Sequence, residues 1–214
     1  MIPFQQQPSI GQVFIDLAPE ITDAILQTIA HGWALAHQTP HFKMLQTEVP
    51  ITESLRNGMR EALKLQGLPW GKSMMIVLPG AESKSTPELL TPDGRTDIPL
   101  MFIGVLLKSG EHDPHAIIEC KRVVEGEAKL IELYVVEGVD RFCSGKYGGN
   151  HSRGFMAGYV MSGSANGVVD AVNGYLDKNN RSGELLAAQS ETWRSEHPRK
   201  NSSKIELYHS MLLV

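Results

Sequence analysis

Two apolar runs separated by a turn-forming segment constrain the fold of this chain most strongly. The first spans residues 97–107 and the second residues 115–123. Residues 108–114 between them contain a Ser-Gly and an Asp-Pro pair, which are typical of turns. Two apolar runs joined in this way predict a β-hairpin.

The segments around this hairpin predict a layered α/β fold. Helices are predicted at residues 19–37, 52–66, 128–142 and 168–178, and further strands at residues 73–78, 155–162 and 205–214. Residues 79–95 are predicted to form a polar loop. The element order α-α-β-β-β-α-β-α-β predicts a three-layer sandwich, with a mixed β-sheet flanked by helices.

The length of 214 residues favours one domain. We expect an N-terminal helical extension over about residues 1–50, a core over about residues 51–178 and a C-terminal strand over about residues 204–214. No apolar stretch approaches the roughly 18 residues that a membrane span needs, and the N-terminus lacks the pattern of a signal peptide. With only two cysteines, Cys120 and Cys143, the sequence predicts a cytoplasmic protein.

The formal net charge of −4 argues against indiscriminate binding to nucleic acid, which requires a basic field. It leaves room for a local basic groove. Three side chains near a glycine-rich segment, Arg141, Lys146 and Arg153, are candidates for contacts with phosphates. The alternative interpretation is a solvated loop with no ligand.

The pattern acid-x-Lys occurs three times, ending at Lys84, Lys121 and Lys129. Only the second copy, Glu119-Cys120-Lys121, ends an apolar strand. Because residues two apart project to the same face of a strand, Glu119 and Lys121 point together. A buried acid and lysine are costly unless they are paired or used in function. A structural ion pair is therefore one interpretation, and a functional site is the other.

Asp97 opens the preceding strand and strengthens the functional interpretation. A three-residue turn centred on Gly110 would pair Met101 with Glu119. In that register Asp97 lies on the same face as Glu119 and Lys121. The hairpin would thus bring two carboxylates and one lysine together at a strand end.

This group suits metal-assisted hydrolysis of a phosphodiester. The carboxylates of Asp97 and Glu119 and the backbone carbonyl of Cys120 are hard oxygen ligands of the kind that Mg²⁺ or Mn²⁺ takes. A bound cation polarises a phosphoryl oxygen and lowers the pKa of water. Lys121 would orient the attacking water or stabilise the transition state.

Residues 52–176 resemble the PD-(D/E)XK nuclease superfamily, which has the restriction-endonuclease-like fold. The resemblance rests on the order helix, three strands, helix, strand, with an acid at the start of the second strand and Glu-x-Lys in the third. It implies an αβββαβ core in which Asp97 and Glu119 bind metal and Lys121 aids catalysis.

The resemblance also implies a metal-binding glutamate in the first core helix. Glu53 is the expected residue, and Glu61 is its competitor. The chain departs from the family pattern before the first acid, where Thr96 stands in place of proline. A literal Pro-Asp pair occurs at residues 92–93, but Asp93-Gly94 is typical of a turn, so Asp97 is preferred.

These features predict a Mg²⁺- or Mn²⁺-dependent nuclease that acts on nucleic acid, with DNA favoured over RNA. Cleavage of both strands of a duplex needs two sites, so a homodimer or a complex with a partner protein is expected. The alternative is a catalytically silent binding or regulatory module of the same fold that acts with a partner. An unrelated α/β protein is the third possibility.

Overall fold

The structure, a computed structural model, describes residues 14–42, 47–65, 74–83, 94–110, 112–199 and 204–214. The α-helices are α1 (Pro19–His37), α2 (Glu48–Ala62), α3 (Ile103–Ser109), α4 (Ala128–Tyr134), α5 (Asp140–Cys143) and α6 (Ala165–Lys178). A π-helical turn, Val135–Val139, joins α4 to α5, and Ser182–Glu184 forms a 3₁₀ turn. The strands are β1 (Met75–Val77), β2 (Glu82–Ser83), β3 (Gly94–Arg95), β4 (Ile98–Phe102), β5 (Ala116–Val124), β6 (Arg153–Ser162), β7 (Ala187–Gln189), β8 (Thr192–Pro198) and β9 (Lys204–Leu213).

Seven of these strands form one mixed sheet in the order β1-β4-β5-β6-β9-β8-β7, and β2 and β3 form a separate two-stranded ribbon. The pairs β1–β4, β4–β5, β7–β8 and β8–β9 are antiparallel. The central pairs β5–β6 and β6–β9 are parallel. The helical crossover between β5 and β6 is what allows these two strands to run in the same direction.

Helices cover both faces of the sheet. On one face, α1 and α2 bury Ile25 and Leu55 in a core that includes Ile118 of β5. On the other face, α4 and α6 contribute Tyr134 and Val172 to a second core. The expected three-layer sandwich with a mixed sheet is therefore confirmed.

The two helices of the first layer pack with their backbones in close approach. A Cβ atom built on Gly58 of α2 would lie 2.0 Å from the backbone oxygen of Gly32 in α1. Only glycine fits at such a distance. This contact fixes α2 against α1, and α2 carries the acidic residues of the candidate site described below.

The predicted hairpin is wrong in two respects. Strand β4 ends at Phe102, and the remainder of the first apolar run forms α3, in which Leu107 is 80% exposed. An unbroken apolar run does not distinguish a strand from a short helix, which explains the error. Gly110, with φ of 70°, ends α3 instead of centring a hairpin turn.

The register between β4 and β5 is the second correction. Ile98 lies opposite Ile118, and Leu100 lies opposite Ala116, so the expected pairing of Met101 with Glu119 does not occur. The physical reason is the length of the connection, since α3 and the loop after it separate the two strands. The corrected register still brings the end of β4 that carries Asp97 close to Glu119.

Other boundaries also differ from the predictions. Helix α2 begins at Glu48, four residues before the predicted start at Thr52. The β7–β8 hairpin was not predicted, because residues 187–198 are polar and show no simple alternation. Residues 1–13 of the expected N-terminal extension, and the Pro-Asp pair at residues 92–93, lie outside the described residues. No helix in the described part of the chain is long and apolar enough to cross a membrane.

Candidate metal and active site

The candidate site lies at the start of β4, where β4 covers β5 only as far as Ile118 and leaves the rest of that edge of β5 unpaired. Beyond Ile118, the backbone amides of Cys120 and Arg122 point towards this open edge. Two carboxylates take the place of the missing strand. Asp97 Oδ2 accepts a hydrogen bond from the Cys120 amide at 2.8 Å, and Glu48 Oε2 accepts one from the Arg122 amide at 3.2 Å. The need to satisfy these backbone donors therefore fixes both acids at the edge of the sheet.

Lys121 joins the acidic groups of this edge. Its Nζ donates to Glu119 Oε1 at 2.7 Å and to the Cys120 carbonyl at 3.0 Å, and it lies 3.5 Å from Glu48 Oε1. Lys121 is 9% exposed and Glu119 is 1% exposed. The ammonium group is thus held in one position by three oxygen atoms.

A glycine in the π-helical turn packs beside the Lys121 side chain. A Cβ atom built on Gly138 would lie at an ordinary contact distance of 3.6 Å from Lys121 Cγ, but only 2.6 Å from the end of the Met156 side chain. A side chain at position 138 would therefore displace the end of Met156. The extra residue of a π-helical turn is frequent at functional sites, and here the turn lies directly beside the lysine.

Arg141 of α5 provides a second cation. Its Nη1 lies 3.3 Å from Glu119 Oε1 and donates to the Tyr147 hydroxyl oxygen at 2.7 Å, while its Nη2 pairs with Glu137 at 2.5 Å. The Tyr147 hydroxyl in turn donates to the backbone carbonyl of Arg95 at 2.6 Å. This chain of contacts ties the helix to the segment that carries Asp97.

Acidic groups outnumber cationic ones in this cluster, since Glu48, Asp97 and Glu119 meet Lys121 and Arg141 among the described residues. Burial raises the pKa of Asp97. Burial, and then the charge of Asp97, raise the pKa of Glu119 to about 8. Burial lowers the pKa of Lys121, but the carboxylates of the cluster together raise it above its ordinary value. All three groups therefore hold protons more tightly than usual, the two acids mainly because they are buried and Lys121 because carboxylates surround it.

The donor atoms of the cluster fit a divalent cation. Glu119 Oε2 is buried and has no hydrogen-bond partner among the described residues. A buried carboxylate oxygen without a partner is costly, and a cation would satisfy it. Together with the Asp97 carboxylate and the Cys120 carbonyl, it forms a hard oxygen set that suits Mg²⁺ or Mn²⁺.

A cleft of about 170 Å³ opens beside Asp97. Its walls come from α2, from the segment before β2 and from residues 95–97, where β3 leads into β4, and among them are Glu48, Glu53, Arg56, Gly80 and Arg95. The cleft connects one side of the acidic cluster with solvent. A ligand that reaches Asp97 from this side must therefore pass the two arginines.

Comparison of the chain with family models, with curated proteins and with solved structures gives no match. Inferences about function therefore depend on the residues of the site and on the topology that positions them.

Among the predicted site residues, Asp97, Glu119, Lys121 and the Cys120 carbonyl lie together. Of the predicted phosphate-binding residues, Arg141 also reaches this cluster. Arg153 instead forms ion pairs with Asp16 and Glu206 at the start of β6, and Lys146 lies in the turn after α5. In the described part of the chain, no hydrogen bond or ion pair links Arg153 or Lys146 to the cluster.

The helix acid that contacts the cluster is Glu48, which the sequence prediction missed. Glu53 lines the cleft but pairs with Arg56 and is 49% exposed. Glu61 pairs with Lys64 at 2.5 Å on the exposed end of α2. Glu48 was missed because the predicted helix began too late. Pro50 gave a usable signal, since proline is favoured in the first turn of a helix.

A second buried polar group, here called the histidine network, lies on the β8–β9 side of the sheet. His197 Nδ1 lies 2.5 Å from a Glu184 oxygen, and His197 Nε2 lies 2.6 Å from the Ser195 hydroxyl. The same hydroxyl lies 2.7 Å from His209 Nε2, and His209 Nδ1 lies 2.8 Å from the Tyr134 hydroxyl. Five side chains are thus joined in one continuous series of hydrogen bonds.

The free thiol of Cys143 lies close to this network. Its sulfur and the nearest ligand atoms of Glu184 and His197 all lie within 4.8 Å of one another, which is a possible metal-binding set. The Glu184 carboxylate, however, already accepts hydrogen bonds from Arg181 Nε at 3.0 Å and Nη2 at 2.6 Å. Because its oxygens are used, this set fits a cation less well than the Asp97–Glu119 cluster does.

Proposed function

We propose that this protein is a metal-dependent nuclease that hydrolyses phosphodiester bonds, with DNA as the favoured substrate. The observation that carries the proposal is the buried Glu119 oxygen without a hydrogen-bond partner among the described residues, in a cluster where three acidic groups meet Lys121 and Arg141.

The topology supports a restriction-endonuclease-like core. The order αβββαβ is present in this chain as helix α2, strands β1, β4 and β5, the helix after β5, and strand β6. Asp97 immediately precedes the second of these strands, and Glu119 and Lys121 lie in the third. The small β2–β3 ribbon and α3 are insertions in this scheme.

The residues have distinct roles in the proposed reaction. Asp97, Glu119 and the Cys120 carbonyl would hold the cation, which would supply Lewis-acid activation of the phosphodiester and of water. Lys121 places its ammonium group beside the Glu119 carboxylate. From there it orients the attacking water and donates a hydrogen bond to the charge that develops on the phosphoryl oxygens.

Glu48 and Arg141 position these groups. Glu48 binds both the Arg122 amide and the Lys121 ammonium group, so it fixes the N-terminal end of α2 against Lys121. Arg141 holds Glu119 and Tyr147 in place. Because cleavage of both strands of a duplex requires two such sites, we propose that the active form is a homodimer or a complex with a partner protein.

The test is incubation of the purified protein with single- and double-stranded DNA and RNA, in Mg²⁺, in Mn²⁺ and in a chelator. We expect cleavage only with the metals. Lys121→Met should lower the rate roughly a thousandfold or more, because it removes a transition-state contact. Lys129→Met is the matched control, since Lys129 belongs to an exposed acid-x-Lys pattern on α4.

Thermal unfolding of the same preparations separates the competing explanations. A folded Lys121→Met variant that cuts as fast as the wild type would contradict the assignment of Lys121. A wild-type protein that binds nucleic acid in the presence of metal and never cuts it would favour the silent binding module.

A further inference from the structure

The cleft beside Asp97 contains two guanidinium groups that the metal site does not use. Arg56 enters it from α2, and Arg95 enters it from β3, two residues before Asp97. Both lie on the route by which a ligand would reach the acidic cluster. Their positions raise the question of what anion they would hold.

Arg56 has an unsatisfied donor. Its side chain is 11% exposed, and one terminal nitrogen pairs with Glu53. Its Nε is buried and has no hydrogen-bond partner among the described residues. A guanidinium group offers five donors in a planar fork that matches the oxygens of a phosphate, and Arg56 lines the cleft, so an anion there can accept from donors that Glu53 does not use.

Arg95 is held by its backbone and presents its side chain to the same cleft. Its backbone pairs with Glu82 in the β2–β3 ribbon, and its carbonyl accepts the Tyr147 hydroxyl at 2.6 Å. A Cβ atom built on Gly80 would lie 3.3 Å from Arg95 Nε and 2.6 Å from the Thr96 oxygen. The absence of a side chain at Gly80 thus leaves room for the guanidinium group.

The charges of the cleft make anion binding dependent on a bound cation. Glu48, Glu53 and Asp97 line the cleft with Arg56 and Arg95, so carboxylates outnumber guanidinium groups by one. A divalent cation on Asp97 reverses this balance. An anion should therefore bind well only after the cation, and each ligand should strengthen the binding of the other.

We propose that Arg56 and Arg95 form a phosphate subsite beside the metal position, which holds a backbone phosphate of the nucleic acid during cleavage. This inference rests on the proposed nuclease function for the identity of the ligand. The subsite itself is defined by an orphaned guanidinium nitrogen, a glycine that keeps the cleft open and a charge balance that a cation reverses.

The test uses inorganic phosphate as the probe, added to the full chain with and without Mg²⁺ and followed by calorimetry. The wild type should bind phosphate with Mg²⁺ and much more weakly without it. Arg56→Gln and Arg95→Gln should each weaken binding by about tenfold or more, since each removes charge-assisted hydrogen bonds. Lys64→Gln is the matched control, because Lys64 forms the equivalent (i, i+3) pair with Glu61 outside the cleft.

The same variants are then tested for cleavage, with circular dichroism to verify folding. A rise in KM for nucleic acid in Arg95→Gln, whose side chain is exposed, tests the subsite even if Arg56→Gln folds poorly. Phosphate affinities equal to that of the wild type in the folded variants, or no phosphate binding by the wild type with Mg²⁺, would overturn the subsite. Arginine-dependent phosphate binding in a protein without nuclease activity would support the subsite and overturn the proposed function.

Discussion

The acidic cluster on β5 and the histidine network on β8 and β9 are both buried and polar, but they differ in how their hydrogen bonds are completed. In the network, burial lowers the pKa values of His197 and His209, so both rings are neutral. Because the Glu184 carboxylate only accepts, His197 donates to it and accepts from the Ser195 hydroxyl. His209 then donates to Ser195 and accepts from Tyr134. Every donor meets an acceptor.

In the acidic cluster, the hydrogen bonds among the described residues are not complete. Glu119 keeps one buried oxygen without a partner among the described residues, where three acidic groups meet two cationic side chains. A complete hydrogen-bond network requires no further ligand, so it contributes to stability and to a single packing arrangement. A buried cluster with an unpartnered oxygen destabilises the folded state until a ligand binds to that oxygen. The difference supports the proposal that the cluster is the functional site and that the network is structural.

Breaking the histidine network should lower the stability of the protein more than removal of an exposed hydroxyl group does. Ser195→Ala leaves Nε2 of both His197 and His209 without a partner, and each orphaned buried group costs about 1–3 kcal/mol. We expect the free energy of unfolding to fall by roughly that amount for each histidine, as measured by urea denaturation. Cleavage per folded molecule should not change.

Ser144→Ala provides the control for this substitution. The Ser144 hydroxyl donates to the Arg141 carbonyl at 3.1 Å and is exposed, so its removal should cost little. Equal stability losses in the two variants would show that the network is not a special source of stability. Loss of cleavage in a folded Ser195→Ala protein would contradict the separation between the two regions.

A smaller effect distinguishes the two candidate acids of α2. Glu48 binds the Lys121 ammonium group, whereas Glu53 pairs with Arg56 at the rim of the cleft. Glu48→Gln should lower the cleavage rate by about 10- to 100-fold, as is usual for groups that orient a metal site. Glu53→Gln should change the cleavage rate little. A larger loss of cleavage in Glu53→Gln than in Glu48→Gln would restore Glu53 as the helix acid of the site.

The sequence was informative where a pattern is local. The alternation of a strand places Glu119 and Lys121 on one face, and that required no knowledge of the rest of the fold. The position of Asp97 was correct although the register was not, because both registers bring the start of β4 near the second half of β5. The three-layer order of elements followed from hydrophobic periodicity.

Features that depend on distant segments were not predictable in this way. Glu48 meets Lys121 across 73 positions, and no local pattern marks that contact. Residues 192–198 are polar because β8 carries Ser195 and His197 into the network, so the strand lacks the apolar alternation by which strands are recognised. The apolar residues 103–107 matched a strand as well as a helix, and only the tertiary structure decides between the two.

Calorimetric titration of Mn²⁺ into the wild type and Glu119→Gln, between pH 6 and pH 9, tests the central claim most directly. A carboxyl ligand must be ionised to bind a metal, and the pKa of Glu119 is raised to about 8. The wild-type affinity should therefore rise by up to about tenfold per pH unit below pH 8, with proton release, and level off above it. Glu119→Gln should bind weakly without this dependence. Equal affinities in the two proteins would contradict the assignment of the cluster as a metal site, whereas a wild-type affinity that does not change with pH would contradict only the raised pKa of Glu119.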